Sequence, residues 1–327
     1  MLFLINILNS VLILVCFILS NYHHSIFSII SFLTFLFPVL FVINLCFFFY
    51  WALKIDLRVL LPVLTMLFLF YNSVSLYKIG TEAEIKKEGF EVMSFNSRLF
   101  NHYNWIDRDS VPYQIKKFFI SEMPEVLSIQ EYHGDYEQLL SSYRNKHIYF
   151  SGDNVGLSIY TNNYIVNRGV VEFDGGINNA IFIDIIEKKD TIRVYNAHFE
   201  SFKVDVNSLN TDLTTIKNVI DKIKYSYIAQ KKQLDSLLNH VSRSPYKSIL
   251  TVDLNNTEHS YIYKKIIEKF DDVFKLKGNG FGSTYEFKFL PIRIDYVFIS
   301  PSIYAKSFYI FDENLSDHKP ISAFLDI

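Results

Sequence analysis

Cysteine is almost absent from this chain of 327 residues, where only Cys16 and Cys46 occur. Both fall in one apolar stretch, so the polar remainder has no thiol for a disulfide, a thiolate metal site or a cysteine nucleophile. Charge is also scarce, at 20% of residues against about 25% in soluble domains. The shortage is local. The first 77 residues carry only Lys54, Asp56 and Arg58 as charged groups, and the first 53 have no acidic side chain. From Lys78 onward there are 30 basic and 33 acidic residues, an ordinary globular balance with a formal charge of −3. The pattern excludes disorder, collagen-like repeats and an all-soluble chain, and leaves one medium-sized domain behind an apolar front end. A strongly basic nucleic-acid groove has no support in the total, although a sum does not show how charge is segregated. Gly-rich phosphate loops, internal repeats and low-complexity tracts are missing as well.

The apolar front end divides into three runs. Residues 1–20 are about long enough to cross ~30 Å of hydrocarbon as a helix, and His23, His24 and Ser25 sit in the polar turn that follows. Residues 26–53 exceed that length, contain Pro38 and end in an aromatic cluster, Phe47 to Trp51, suited to a membrane interface. Residues 59–77 are the weakest run, diluted by Asn72, Ser73 and Ser75. A cleaved signal peptide would need a positive leading segment and a small-residue cleavage pattern, which residues 1–20 lack. Buried core helices rarely include successive charge-free runs of this length. The expectation is a multi-pass anchor at 1–77, a charged linker at 78–89 and a domain at 90–327. The positive-inside bias places Lys54 and Arg58 in the cytoplasm, hence the domain outside, although Lys78, Lys86 and Lys87 oppose it.

In the polar part, short β-rich runs are predicted at 90–95, 126–129, 155–160, 180–186, 191–197, 248–252, 292–299 and 321–325. Helical periodicity appears at 112–121, 228–241 and around 260–270, and residues 202–227 read as a helical or loop insertion. Strands and helices mix without strict βαβ alternation, which predicts a layered α/β sandwich with mixed sheets. Polar residues recur at the strand ends: Asn96, Glu131, His198, Asp253 with Asn255, Asp295, and Asp317 with His318. Strand ends of such a sandwich converge on one edge, so these groups would meet in space. Taken singly each has a bland reading: Asn96 as a turn residue, Asp295 as a partner of Arg293, Asp317 and His318 as a turn before Pro320. The remaining histidines, His23, His24, His102, His133, His147, His240 and His259, match no motif and read as surface or interface residues.

The ordered series Asn96, Gln130-Glu131, Asn196-Ala197-His198, Asp253-Leu254-Asn255, Arg293-Ile294-Asp295-Tyr296 and Ser316-Asp317-His318-Lys319-Pro320 resembles the endonuclease/exonuclease/phosphatase (DNase I-like) superfamily. That group includes pancreatic deoxyribonuclease, abasic-site endonucleases, bacterial sphingomyelinases and inositol-polyphosphate 5-phosphatases. The front end resembles that of membrane-anchored bacterial members. The resemblance implies a four-layer α/β sandwich of two packed mixed sheets flanked by helices, preceded by transmembrane helices. It also implies a phosphodiester hydrolase of the bacterial inner membrane that uses Mg²⁺, or Mn²⁺ in its place.

Phosphodiesters are anionic and resist hydroxide, so hydrolysis near neutrality needs a hard cation and a positioned water. By resemblance Glu131 is the main metal ligand, with Asn96 beside it and Asp317 assisting. Asp253 would orient and deprotonate the water, and Asn255 would hold that water or a phosphate oxygen. Asp295 would fix the His318 tautomer, leaving His318 to contact the phosphate or act as base, and His198 would donate to the phosphate or leaving oxygen. Sequence does not choose between Asp253 and His318 as base. The family's usual Gly-Asp-X-Asn-Asp run is here Val252-Asp253-Leu254-Asn255-Asn256, a departure that puts local backbone geometry and a second-shell charge in question. Expected partners are a phosphodiester, in nucleic acid, phospholipid or inositol phosphate, and the lipid bilayer, with no obligate protein partner. A sphingomyelinase-like or inositol-phosphate phosphatase activity, and a noncatalytic scaffold on the same fold, stand as alternatives.

Overall fold

The computed structural model describes residues 1–22, 28, 32–71, 77–80, 88–173, 178–204, 212–287 and 290–327. The turn residues His23, His24 and Ser25, and Lys86 and Lys87 of the linker, lie outside that set. Helix α1 covers Leu2–Leu19, a 3-10 turn at Leu33–Leu36 leads into α2 (Phe37–Leu53), and α3 covers Leu60–Tyr71. Only the first two stretches are long and apolar enough to cross a membrane. The third run predicted at 59–77 is helical for 12 residues, and Asn72, Ser73 and Ser75 at its end are outside the described residues.

Two six-stranded mixed sheets make up the rest. Sheet I contains β1 (Phe90–Asn96), β2 (Val126–His133), β3 (Asn145–Gly152), β4 (Val155–Thr161), β13 (Tyr304–Ile310) and β14 (Ile321–Asp326). Sheet II contains β5 (Ile165–Val171), β6 (Ala180–Glu187), β7 (Asp190–His198), β8 (Lys247–Asp253), β9 (Asp271–Asp272) and β12 (Asp295–Ile299). The orders are β13-β14-β1-β2-β4-β3 and β5-β6-β7-β8-β12-β9. Helix α4 (Val111–Glu122) covers sheet I and α5 (Leu213–Ser242) covers sheet II, completing a DNase I-like four-layer α/β sandwich. Two short helices, α6 (Tyr261–Ile266) and α7 (Val273–Lys277), the hairpin of β10 (Tyr285–Phe287) and β11 (Leu290–Ile292), and 3-10 turns at Leu57–Val59, Arg98–Asn101 and Gly134–Leu140 complete the described elements.

Strand alternation explains the layering. Along β1, Val92 enters the inter-sheet core with Ile183, Val194, Ile249 and Val297, while Met93 and Phe95 turn outward onto Ile115 and Phe119 of α4. Both faces are covered, so every β1 residue is buried and the strand reads as a continuous buried run.

The predicted strand at 292–299 is broken at Arg293 and Ile294, which separate β11 from β12. The helix predicted around 260–270 is confined to α6, because Asp272 caps a separate helix, α7, accepting from the backbone N–H of Phe274 and Lys275. The insertion at 202–227 resolves in its second half into the start of α5, capped by Asp212.

Candidate active site

The centre of each sheet is a parallel strand pair, β1 with β2 and β7 with β8. Parallel neighbours end on the same side, which puts Asn96 opposite Gln130 and His198 opposite Asp253. Strand β12 runs antiparallel to β8 and begins at the same edge, with Asp295 opposite Asp253. The register itself therefore gathers residues from five parts of the chain.

The side chains touch. Asn96 Nδ2 donates to Asp253 Oδ2 at 2.8 Å and to Glu131 Oε1 at 3.2 Å, while its Oδ1 accepts from the Arg98 N–H. His198 Nε2 lies 3.5 Å from Asp253 Oδ2 and 3.1 Å from Asn255 Nδ2. His318 Nδ1 donates to Asp295 Oδ2 at 2.9 Å, and its Nε2 points to Asp253 Oδ2 at 3.8 Å. Asp295 thus pairs with His318, and not with Arg293, which pairs with Asp272 and Glu258. Asp317 stands apart from this set, at the rim, paired with Arg98 at 3.3 Å. Glu131 and Asn255 hold left-handed backbone, φ 46° and 47°, a cost that chains retain at sites whose geometry is fixed by function.

Below the site lies a buried polar bridge between the sheets. Gln130 Nε2 donates to Asn196 Oδ1 at 2.7 Å and to Ser94 Oγ at 3.0 Å. Asn196 Nδ2 donates to the carbonyls of Ile129 and Ser158. These bonds lock the two strand pairs in depth relative to each other.

Burial disfavours a charge on His318, but Asp295 and Asp253 outweigh it and push its pKa up to about 10. Asp295 is raised by burial, against the pull of the imidazolium.

A cavity of about 450 Å³ opens over Glu131, Asn255, Asp317 and His318, and a second lobe of about 280 Å³ opens over His198. Both are lined by Glu131, Asn255, Ser201 and Lys203. The donors on the page suit a hard cation. Glu131 is one-third exposed and faces the cavity, and thiols are absent from this region. The group Asp253, Asp295 and His318 is also close enough to share an ion, but His318 Nδ1 is already committed to Asp295.

Sequence reading missed several residues around this centre. Arg98 stacks its guanidinium 4.6 Å from the Trp105 ring centroid and holds Asp317. Thr284 is fully buried, and its Oγ1 accepts from the N–H groups of Ile294 and Asp295. Tyr285 packs on the His318 ring with centroids 4.8 Å apart. A Thr-Tyr pair following a glycine turn is a faint signal at best. His133, expected at a surface, is buried and stacks on His102 at 4.0 Å.

Comparison with known proteins bears on the fold. Among similar solved structures is the endonuclease/exonuclease/phosphatase from Bacteroides vulgatus, 16% identical, covering 74% of this chain and 100% of that one with TM-score 0.57. The fold is that of the endonuclease/exonuclease/phosphatase proteins. The human Nocturnin catalytic domain with bound sulfate is 14% identical over 75% of this chain and 95% of its own, with TM-score 0.56. D. rerio TDP2 complexed with single strand DNA product is 14% identical over 73% and 99%, with TM-score 0.55. No curated protein matches the chain. A family model described as a domain of unknown function, DUF8431, matches residues 1–77.

Proposed function

We propose that the protein is a membrane-anchored phosphodiesterase of the endonuclease/exonuclease/phosphatase superfamily, dependent on Mg²⁺ or Mn²⁺. The observation that carries it is the contact chain Glu131–Asn96–Asp253–His318–Asp295, with His198 and Asn255 alongside, beneath two neighbouring cavities that share Glu131 and Asn255. The sulfate in Nocturnin and the DNA product in TDP2 support a phosphoester ligand on this fold. Glu131 would hold the cation, with Asn96 beside it and Asp317 at the rim, and the chemistry supplied there is neutralisation of charge on the phosphoryl oxygens.

The upward shift of His318 supports Asp253 as the base in this reading. An imidazolium cannot accept a proton, so the Asp253 carboxylate takes it from the attacking water, and His318 donates a charged hydrogen bond to a phosphoryl oxygen. Asn255 positions the water by its amide. The water oxygen bonds to phosphorus as the bond to one ester oxygen breaks, and His198 gives that oxygen a proton. The products are a phosphomonoester and an alcohol.

Membrane anchoring is supported by helices α1 and α2, which are mostly unburied within the structure although strongly apolar. A core helix of a soluble protein would be mostly buried. The hairpin with Lys54 and Arg58 lies at one end of these helices, where Arg58 covers the rings of Phe3 and Trp51. The domain meets the other end, at Ser20, Tyr22 and Phe37. With Lys54 and Arg58 in the cytoplasm, the domain faces outward. Full-length protein in detergent should hydrolyse bis-p-nitrophenyl phosphate with Mg²⁺ or Mn²⁺, lose activity in chelator, and lose it in Glu131→Ala and Asp253→Asn. Absence of metal-dependent turnover above those variants would leave the noncatalytic scaffold as the reading. Protease protection of the domain on intact cells would reverse the orientation.

A further inference from the structure

We propose that the phosphoester cleaved is lipid-borne, with its hydrocarbon chain lying in a groove between helix α2 and the domain. The inference rests on the phosphodiesterase reading above and narrows it to one substrate class. The catalytic cavity takes polar lining from Glu131, Lys203, Asn255, Asp317 and His318 and an apolar wall from Phe32 and Phe35 of the anchor, with Phe202, Ile292 and Ile294. Phe32 and Phe35 clamp Phe202, with ring centroids at 5.3 and 5.6 Å.

A second cavity of about 520 Å³ lies beside that wall. Val39, Val42 and Leu45 of α2 form one side, and Tyr77, Phe281 and Ile292 form the other. Ile292 borders both cavities, so the groove adjoins the catalytic cavity across that side chain. Its charged floor is internally neutralised, because Arg293 is paired with Glu258 and Asp272. At 1.5 Å per residue, Val39 to Leu45 extends about 9 Å along α2 from the domain end, a course that enters the hydrocarbon if α2 spans the bilayer.

These surroundings discriminate between ligands. A nucleic acid carries an anionic phosphate on either side of the scissile one; Lys203 lines the cavity and can meet one of these, but a phosphate set against Phe35 and Ile292 has no partner there and is desolvated at a cost. A lipid phosphoester carries its charge at the scissile group and continues as hydrocarbon, which matches a polar pocket adjoining an apolar groove.

The test uses the full chain in mixed micelles with two substrates sharing one leaving group, hexadecyl p-nitrophenyl phosphate and methyl p-nitrophenyl phosphate. The hexadecyl ester should show at least tenfold higher kcat/KM. Val42→Trp, and separately Leu45→Trp, should fill the groove and bring the ratio to within about twofold, while methyl-ester turnover stays at the wild-type rate and reports that each variant is folded. Equal rates on both esters would overturn the lipid inference and leave the phosphodiesterase intact. A preference that persists in both variants would assign it to micelle partitioning and overturn the groove. Faster cleavage of a single-stranded oligonucleotide than of the hexadecyl ester would also overturn it. Failure to cleave either ester with Mg²⁺ or Mn²⁺ would defeat the underlying reading and this inference with it.

Discussion

Residues 1–77 and the domain differ in what they leave outside, although both bury apolar side chains, Ile13, Cys16, Phe37 and Leu69 among them in the front end. In the helical front end, Asn6, Asn44 and Ser10 are at most 1% exposed, while Leu4, Leu8 and Leu64 are 60% exposed or more. In the domain, Val92, Ile183, Val194 and Ile249 are fully buried. Two inward amides of the front end work between helices: Asn9 donates to the Leu40 carbonyl and Asn44 to the Pro62 carbonyl, each at 3.2 Å, whereas the amide of Asn6 is buried without a partner among the described residues. In the membrane-anchored reading, an apolar surrounding solvent removes the reason to hide leucine and leaves polar contacts and close packing to hold helices together, and water around the domain restores that reason. On that reading one chain follows the folding logic of two solvents, and substitutions should separate them.

The largest separation should come from Asp295→Asn. It removes the carboxylate facing His318, so kcat for bis-p-nitrophenyl phosphate should fall on the order of 100-fold or more, with the packing of α1, α2 and α3 untouched. The same substitution should move a pH limit. His318 has its folded pKa raised above the unfolded value, so the stability it adds is full below the unfolded pKa and is lost as pH rises through about 10. Activity that needs the imidazolium should decline over the same window. In Asp295→Asn that alkaline limb should begin at lower pH, which a kcat–pH profile would show.

Next in size is Gln130→Ala, which strands Asn196 and Ser94 in the inter-sheet core. A loss of about 2 kcal/mol in domain stability is expected, read as a lower midpoint in thermal or denaturant unfolding. The smallest effect belongs to Asn44→Leu, which removes the contact to Pro62 and should cost about 0.6 kcal/mol between helices. It should leave turnover of the soluble methyl ester unchanged. Domain destabilisation by Asn44→Leu equal to that of Gln130→Ala would break the comparison.

What could be read in the sequence follows the same division. Strands β1, β2, β7 and β8 are covered on both faces, and that demand produces the dense Val, Ile, Leu and Phe runs by which they are recognised. Their polar end residues stand out against such runs, which is why Asn96, Glu131, His198 and Asp253 were legible. Strands β3, β5 and β13 were not. They are outer strands of their sheets or neighbours of open edges, with residues such as Lys146, Arg168 and Lys306 among their side chains, and edge protection by charge erases the alternation that marks a strand. Arg293 and Asp295 offered a false pairing two residues apart. Tertiary structure sends one to Asp272 and the other to His318. The wall of Phe32, Phe35 and Phe202 had no local signal because its members come from both parts of the chain.

Where the chain leaves the helices it is fastened at once: the Lys78 N–H donates to the Gly280 carbonyl at 2.9 Å, and the Gly280 N–H to the Lys78 carbonyl at 2.8 Å. This bridge adds to the phenylalanine clamp and to the contacts at Ser20, Tyr22 and Phe37 in attaching the domain to its helices. For a substrate resident in the same membrane, a catalyst mounted this way samples area, not volume. Its speed would follow the number of substrate molecules per unit of membrane surface, rising as the lipid is enriched and falling as inert lipid dilutes it, at constant bulk concentration.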